Sequence, residues 1–333
     1  MATRRAFITG LAASAFIGAC ATSPGVARPS PRLRRIGWLS PNATDSVKRL
    51  SRPFFERLGE LGYVEGRDFA IEWKIADTKN ELLPGMAADL VAMPVDVIVA
   101  ESLPAQLAAR DATKTVPMLF VLSIDPVADG FIASLAHPGG NITGVMAGSN
   151  SAAEKRVEIL KDMVPGLARL AVIWNGNQPA FIKSIVAATV GAARALRIEA
   201  THFPVLNLEE LDKTLDQIAR DRFDALVLLP APTIYRDQPA RIPDFANRIG
   251  MPQAYADEDV VRAGGLMSFN ANRAVQYRRI ADLVDKILKG ALPADLPFEE
   301  PTQFDVIVNL TAVQKLGLTI PPSVSARVTE WVH

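Results

Sequence analysis

The chain has 333 residues, 49% of them hydrophobic and 22% charged, with 36 basic side chains (Lys and Arg) balancing 36 acidic ones. That length supports about two domains at ~150 residues each, and the composition is that of a globular α/β protein rather than a fibrous or disordered one. A formal net charge of zero offers no basic surface for nucleic acid, and a lone cysteine, Cys20, excludes an internal disulfide.

Residues 1–33 read as targeting sequence rather than fold. Thr3-Arg4-Arg5-Ala6-Phe7-Ile8 leads into an apolar stretch that ends at Ala19, shorter than the ~20 residues that span a bilayer. A basic start, a short apolar core and small residues predict a secretory signal over residues 1–19. The paired arginines before Phe7-Ile8 resemble the twin-arginine export motif. Ile17-Gly18-Ala19-Cys20 resembles a bacterial lipobox, so Cys20 is either a lipid anchor or the residue behind a simple cleavage site. Residues 20–33, rich in Pro, Ser and Ala, predict a flexible tether. The expected location is therefore the periplasm, with membrane contact only through such an anchor.

Ile36-Gly37-Trp38-Leu39 predicts the first strand, ended by Ser40-Pro41-Asn42. Val47, Leu50, Phe54, Leu58 and Leu61 then recur at the spacing of a helix packed on a sheet, with Pro53 either setting its start near Ser51 or kinking it. Asp68 to Ile75 reads as a second strand and Asn80 to Met93 as a second helix. VDVIVA (Val95 to Ala100) and PMLFVL (Pro117 to Leu122) are short apolar runs, the third and fourth strands of a parallel sheet buried on both faces. They end in Glu101-Ser102 and in Ser123-Ile124-Asp125-Pro126. Sheets of this kind bind ligands at the carboxyl ends of their strands. Asp125-Pro126 predicts a helix start, the helix running to Ala136 and presenting free amides to an anion. Ser102, Ser123 and Asp125 either line a cleft or merely cap their own helices.

The glycine-dense turn His137 to Gly144 suits a crossover into a second lobe, where the alternation starts again. Ala152 to Val164, Phe181 to Leu196 and Leu208 to Arg220 predict helices. Leu170 to Trp174, Glu199 to Val205 and Asp224 to Leu229 predict strands. A helix carrying Phe245 and Ile249 precedes Pro252 to Tyr255, and Gly264 to Phe269 is a second glycine-marked strand. A long helix from Ala274 to Leu288, a strand from Phe304 to Asn309 and a short helix from Ala312 to Leu316 complete the chain. The expected fold is α/β. Residues 34–143 plus 269–303 form lobe I and residues 144–268 plus 304–333 form lobe II, two Rossmann-like lobes with parallel-sheet cores and a three-strand hinge near Gly144, Gly265 and Phe304.

LGYVEGRDF (Leu61 to Phe69), DPVADGFIASLAHPGGNITG (Asp125 to Gly144), AGGLMSFN (Ala263 to Asn270), VDKILKGALPADLPFEEPTQFDVIVNL (Val284 to Leu310) and LGLTIPPSV (Leu316 to Val324) together resemble the bacterial ABC-transporter substrate-binding family. Its better known members include tryptophan- and tyrosine-type uptake proteins. That resemblance covers about Arg35 to Val332 and implies a type I periplasmic-binding fold, a ligand between the lobes, an ABC permease in the inner membrane as partner, and no catalysis. Such proteins often carry a Gly-Thr pair after the third strand, where this chain has Glu101-Ser102.

The predicted strand ends supply the candidate contacts for a small polar ligand, an amino acid or related carboxylate. They are Ser40, Glu101, Ser102 and Ser123 from the first lobe, and Asn175, Tyr255, Asp257 and Ser268 from the second. Ser102, Ser123 and the amides after Asp125 suit a carboxylate, while Asp257 suits an ammonium and Tyr255 either covers an apolar side chain or packs in the core. No G-x-G-x-x-G or P-loop follows a strand, and His137, His202 and His333 lack metal-ligand spacing, so neither cofactor nor metal is expected. Two alternatives share the architecture: a ligand-sensing subunit of a membrane receptor, and a two-lobed glycosyltransferase-like enzyme, for which no donor site is evident.

Overall fold

The computed structural model describes residues 32–123, 125–148, 150–176, 180–231 and 238–333. The leader, the tether to residue 31 and Cys20 lie outside the described residues. Leu33–His333 is one compact unit built on two sheets.

The first sheet contains β1 (Arg34–Ser40), β2 (Phe69–Ile75), β3 (Val97–Glu101), β4 (Met118–Ser123) and β5 (Ile142–Met146), in the order β2-β1-β3-β4-β5. All its pairings are parallel. The second holds β6 (Arg169–Asn175), β7 (Glu199–Val205), β8 (Ala225–Leu228), β9 (Gln253–Tyr255), β10 (Met267–Ala271), β11 (Phe304–Asn309) and β12 (Glu330–Val332), in the order β12-β11-β10-β9-β8-β6-β7. It is parallel except between β10 and β11. The continuous apolar runs of β3 and β8 are central strands, and every residue of each is buried because helices cover both faces. The fold class expected from the sequence is the one observed.

The helix Thr44–Glu60 buries Val47, Ser51, Phe54 and Leu58 and runs unbroken through Pro53. The carbonyl that this proline leaves unbonded belongs to Arg49, an exposed residue, so water can satisfy it. The helix packs on Arg273–Leu288, which follows β10 in sequence yet shares a core with the first sheet through Tyr277, Ile280, Leu283 and Val284. Among the described residues, no helix is long and apolar enough to cross a membrane.

Two expectations need correction. The stretch Asp125 to Ala136 is not a helix. Asp125 Oδ1 accepts from Ala128 N at 3.0 Å and Asp129 N donates to Asp125 O at 2.9 Å, closing one turn. Gly130 then takes a left-handed φ of 69° and throws the chain inward. Phe131 seats edge-on against Phe120 at 4.9 Å, with Ile132 buried in the same core. Core burial of two adjacent apolar residues outcompetes a helix that would have exposed one of them. Likewise the crossovers are not at the glycines. Gly144 lies inside β5 and Gly265 precedes β10.

The chain instead changes sheets after Met146, at Asn272, and at Glu300–Gln303. These passages run side by side. Met146 N donates to Glu299 O at 2.9 Å, Glu299 N to Gly144 O at 2.8 Å, Asn272 N to Gln303 O at 2.9 Å, and the Gln276 side chain to Met146 O. Asn272 also starts the helix Arg273–Leu288, its Oδ1 accepting from Val275 N at 2.8 Å. Asn272→Ala is expected to cost ~1 kcal/mol, the usual loss for a removed N-cap, read as a lower urea midpoint with an unchanged slope.

Candidate functional site

A cavity of about 460 Å³ lies where the carboxyl ends of the two sheets face one another. The first lobe contributes Asn42, Ser102, Gln106, Leu122 and Asp129. The second contributes Arg156, Ile185, Ala256 and Asp257, and Arg273 and Tyr277 reach it from the helix after the second crossover. Its position is the one that parallel sheets reserve for ligands, outside the carboxyl edge.

The strand ends that line it depart from regular backbone. Ser102 and Leu122, at the ends of β3 and β4, have φ of 64° and 58°. Both are non-glycine residues in the left-handed region, a cost borne at functional sites. At Leu122 the register of β4 on β5 shifts between Val121 and Ser123, a bulge that re-aims the side chain into the cavity. The Val121 carbonyl accepts from Gln106 Nε2 at 2.9 Å, while Gln106 Oε1 is buried with no partner among the described residues. Ser102 also opens the helix Ser102–Ala112, so this helix start replaces the one expected at Asp125 as the dipole facing the cavity.

The charges sort into paired and unpaired. Arg273 and Asp257 approach to 3.6 Å, and Asp257 Oδ1 also accepts from Asp259 N at 3.0 Å, capping the helix Glu258–Arg262. Arg156, on the helix Asn150–Met163, is 3% exposed. Its Nη2 donates to Phe269 O at 2.9 Å, but Nε and Nη1 are buried with no partner among the described residues. Burial pulls this guanidinium down to about 10, so it remains a cation at neutral pH. A buried cation without a counter-charge costs several kcal/mol by order of magnitude, which a binding site recovers when an anion arrives. Asp129 is half-buried, and burial followed by the charge of Asp125 raises its pKa against the opposing pull of Arg110.

Of the residues picked out by sequence, Ser102 and Asp257 line the cavity. Glu101 and Ser40 lie beneath it, 1% and 0% exposed. The Tyr277 hydroxyl donates to Glu101 Oε1, so the acid acts on the tyrosine ring that lines the cavity. Asn175, Ser268 and Tyr255 are buried in their strands, and none is among the lining residues. The Tyr255 ring abuts Gly265, where an added Cβ would come within 2.5 Å of it, which is the core-packing alternative for this residue. The Ser123 side chain lies outside the described residues.

Sequence reasoning missed Arg156 and Asp129. Arg156 had a signal: Ala152, Ala153, Val157, Leu160 and Met163 form the buried stripe of its helix, and Arg156 is the charged residue within that stripe. Asp129 had none, being read as part of a helix that does not form.

A family model described as ABC transporter substrate binding protein matches residues 37–332. The tyrosine-binding protein of Clostridioides difficile strain R20291 is 23% identical over 301 residues, covering 90% of this chain and 86% of that one. Among solved structures, an ABC domain in complex with L-Trp from Streptococcus pneumonia superposes with a TM-score of 0.81 at 23% identity, covering 90% of this chain and 100% of that one. A conserved domain protein from Vibrio cholerae O1 biovar eltor gives 0.80 at 24% identity, with the same coverage.

Proposed function

We propose, from the premise that this chain belongs to the family of ABC transporter substrate-binding proteins, that it captures an amino acid or related carboxylate in the cavity between its lobes and delivers it to an inner-membrane ABC permease. The carrying observation is the cavity itself: about 460 Å³ at the facing carboxyl ends of two sheets, with polar and charged groups from both lobes aimed into one space. That volume suits a single small molecule. The relatives above support the ligand class through what they bind, tyrosine in one and L-Trp in another.

Ser102 with its helix start is the contact carried over from the sequence, joined by Asn42, Gln106 and Asn270 as hydrogen-bonding groups around the ligand, while Asp257 lines the cavity beside its counter-charge Arg273. The mechanism is binding without turnover. A ligand that touches both lobes stabilises the closed arrangement, and the adjacent crossovers at Met146, Asn272 and Gln303 are where rotation is absorbed. The permease then reads the closed surface. Working in the periplasm requires export, for which Arg4-Arg5 and the apolar stretch to Ala19 provide the signal, and Cys20 the anchor.

Thermal denaturation with each of the twenty L-amino acids tests the reading. One of them is expected to stabilise the protein by ~2.7 kcal/mol when present at 100 times its dissociation constant. No shift from any of the twenty at millimolar concentration counts against an amino-acid carrier.

A further inference from the structure

The charges around the cavity are distributed unevenly between the lobes. Asp257 is matched by Arg273 at 3.6 Å, and Asp259 by Arg49 at 3.4 Å. Among the described lining residues this leaves one unmatched cation and one unmatched anion. Arg156 belongs to the second lobe: its helix packs on Ala180–Ala195, β9 and β10. Asp129 belongs to the first, in the turn pinned by Phe131 against Phe120. Its backbone is fixed by the 2.9 Å bond from its N to Asp125 O, while its carboxylate makes neither a hydrogen bond nor an ion pair with any described residue.

We infer that the ligand is a zwitterion read by one charge from each lobe, its carboxylate on Arg156 and its ammonium on Asp129. The assignment rests on the amino-acid reading above and moves both polar ends away from the residues that sequence favoured, since Asp257 already has its counter-charge and the helix expected at Asp125 is absent. Arg156 is suited to the part because Nη2 anchors the guanidinium to Phe269 O and leaves Nε and Nη1 as donors with no competing acceptor among the described residues. Charge-assisted bonds from a buried guanidinium to a carboxylate are among the stronger polar contacts available. The apolar wall of Leu50, Leu103, Leu122 and Ile185 receives the ligand side chain.

Placing the two charges on different lobes couples recognition to closure. An open cleft offers a ligand one ionic contact and a closed one offers two, so only a molecule with both charges gains the full difference between states. A monoanion or a monoamine engages a single lobe and binds without closing. Selection for a zwitterion is then a property of the closing motion and of no single pocket.

The experiment compares wild type, Arg156→Met, Arg156→Lys and Asp129→Asn by calorimetric titration. The probes are the L-amino acid that gives the largest thermal shift among the twenty, its α-amide and its deaminated acid. Wild type is expected to favour the amino acid over either analogue by roughly 100-fold, the loss for leaving a buried charge without its partner. Arg156→Met is expected to bind acid and amide alike, with Arg156→Lys between the two. Asp129→Asn is expected to bind the amino acid and its deaminated form alike. Arg156→Met should also raise the melting temperature of the ligand-free protein, since it removes an unpaired buried cation, and this separates lost recognition from damaged folding. If a wild-type ligand is found and its discrimination ratios survive these substitutions, the assignment of charges is wrong while the carrier reading stands. If none of the twenty binds wild type, the carrier reading falls, and this inference with it.

Discussion

Gly144→Ala is expected to destabilise the protein by about 3 kcal/mol or more, at the upper end of what overpacking does in a closed core. Gly144 pairs with Phe120 across β4 and β5, and a Cβ at this position would stand 2.1 Å from the Phe120 carbonyl oxygen and 2.8 Å from its nitrogen. Both are backbone atoms, so no rotamer change relieves the clash and the strands must separate. The separation has nowhere to go, because Glu299 N bonds the Gly144 carbonyl at 2.8 Å and binds β5 to the third crossover. Chemical denaturation gives the loss directly. The sequence suggests a different role for this glycine, absorbing hinge rotation. Gly85, where a Cβ meets nothing within 4 Å, is the control: alanine there is expected to be neutral or slightly stabilising. Equal behaviour of the two variants would remove the close-approach argument.

What the sequence disclosed follows from how its signals arise. Apolar runs such as VDVIVA and PMLFVL became β3 and β4 because a strand buried on both faces needs apolar residues at every position, a demand few other structures make. Helix stripes held for the same reason, that of Thr44–Glu60 even across Pro53. The Asp125-Pro126 start failed because a capping signal describes only the first turn. Whether a helix continues was decided by Gly130 and by the pull of Phe131 and Ile132 into the core. The site was legible by position more than by residue. Strand ends do face the cavity, but alternation along a strand sends neighbouring side chains in opposite directions, and Asn175, Tyr255 and Ser268 went inward. Tyr277 comes from the crossover helix, and its approach to the cavity depends on tertiary packing that no local pattern encodes, whereas Arg156 stands out in the sequence only as the charged residue in a buried helical stripe.

Glu101 gives the second large effect, and it is one of pH. This carboxyl is buried between β3 and the helix Arg273–Leu288, and burial raises its pKa above the ordinary 4.5. Ser40, Tyr277, Trp38 and Asn42 oppose the rise without cancelling it, and neither Glu101 Oε2 nor Trp38 Nε1 completes a hydrogen bond among the described residues. A carboxyl whose pKa is higher folded than unfolded holds its proton in the native state where the unfolded chain has released it. Its contribution to stability is therefore fully present below about pH 4.5 and is lost as pH rises through the folded value, each tenfold difference in proton affinity between the two states being worth ~1.4 kcal/mol. Surface acids such as Glu60, lowered to about 2 beside Arg278 and Arg57, have the opposite slope, so the wild-type curve alone is ambiguous. Glu101→Gln isolates the effect because it keeps an acceptor for the Tyr277 hydroxyl and carries no proton. The stability of Glu101→Gln relative to wild type is expected to climb from pH 4.5 upward and then level off, measured by urea denaturation at each pH. Two parallel curves would show that Glu101 keeps its ordinary pKa. Glu101→Ala is expected to lose ~1–3 kcal/mol below about pH 4.5, since the Tyr277 hydroxyl is left buried without an acceptor, and this deficit shrinks as pH rises because alanine, like glutamine, does not titrate. The same variant is expected to weaken binding of the amino acid that stabilises wild type, measured by calorimetric titration, because Tyr277 is the ring from the crossover helix that lines the cavity and Glu101 accepts its hydroxyl.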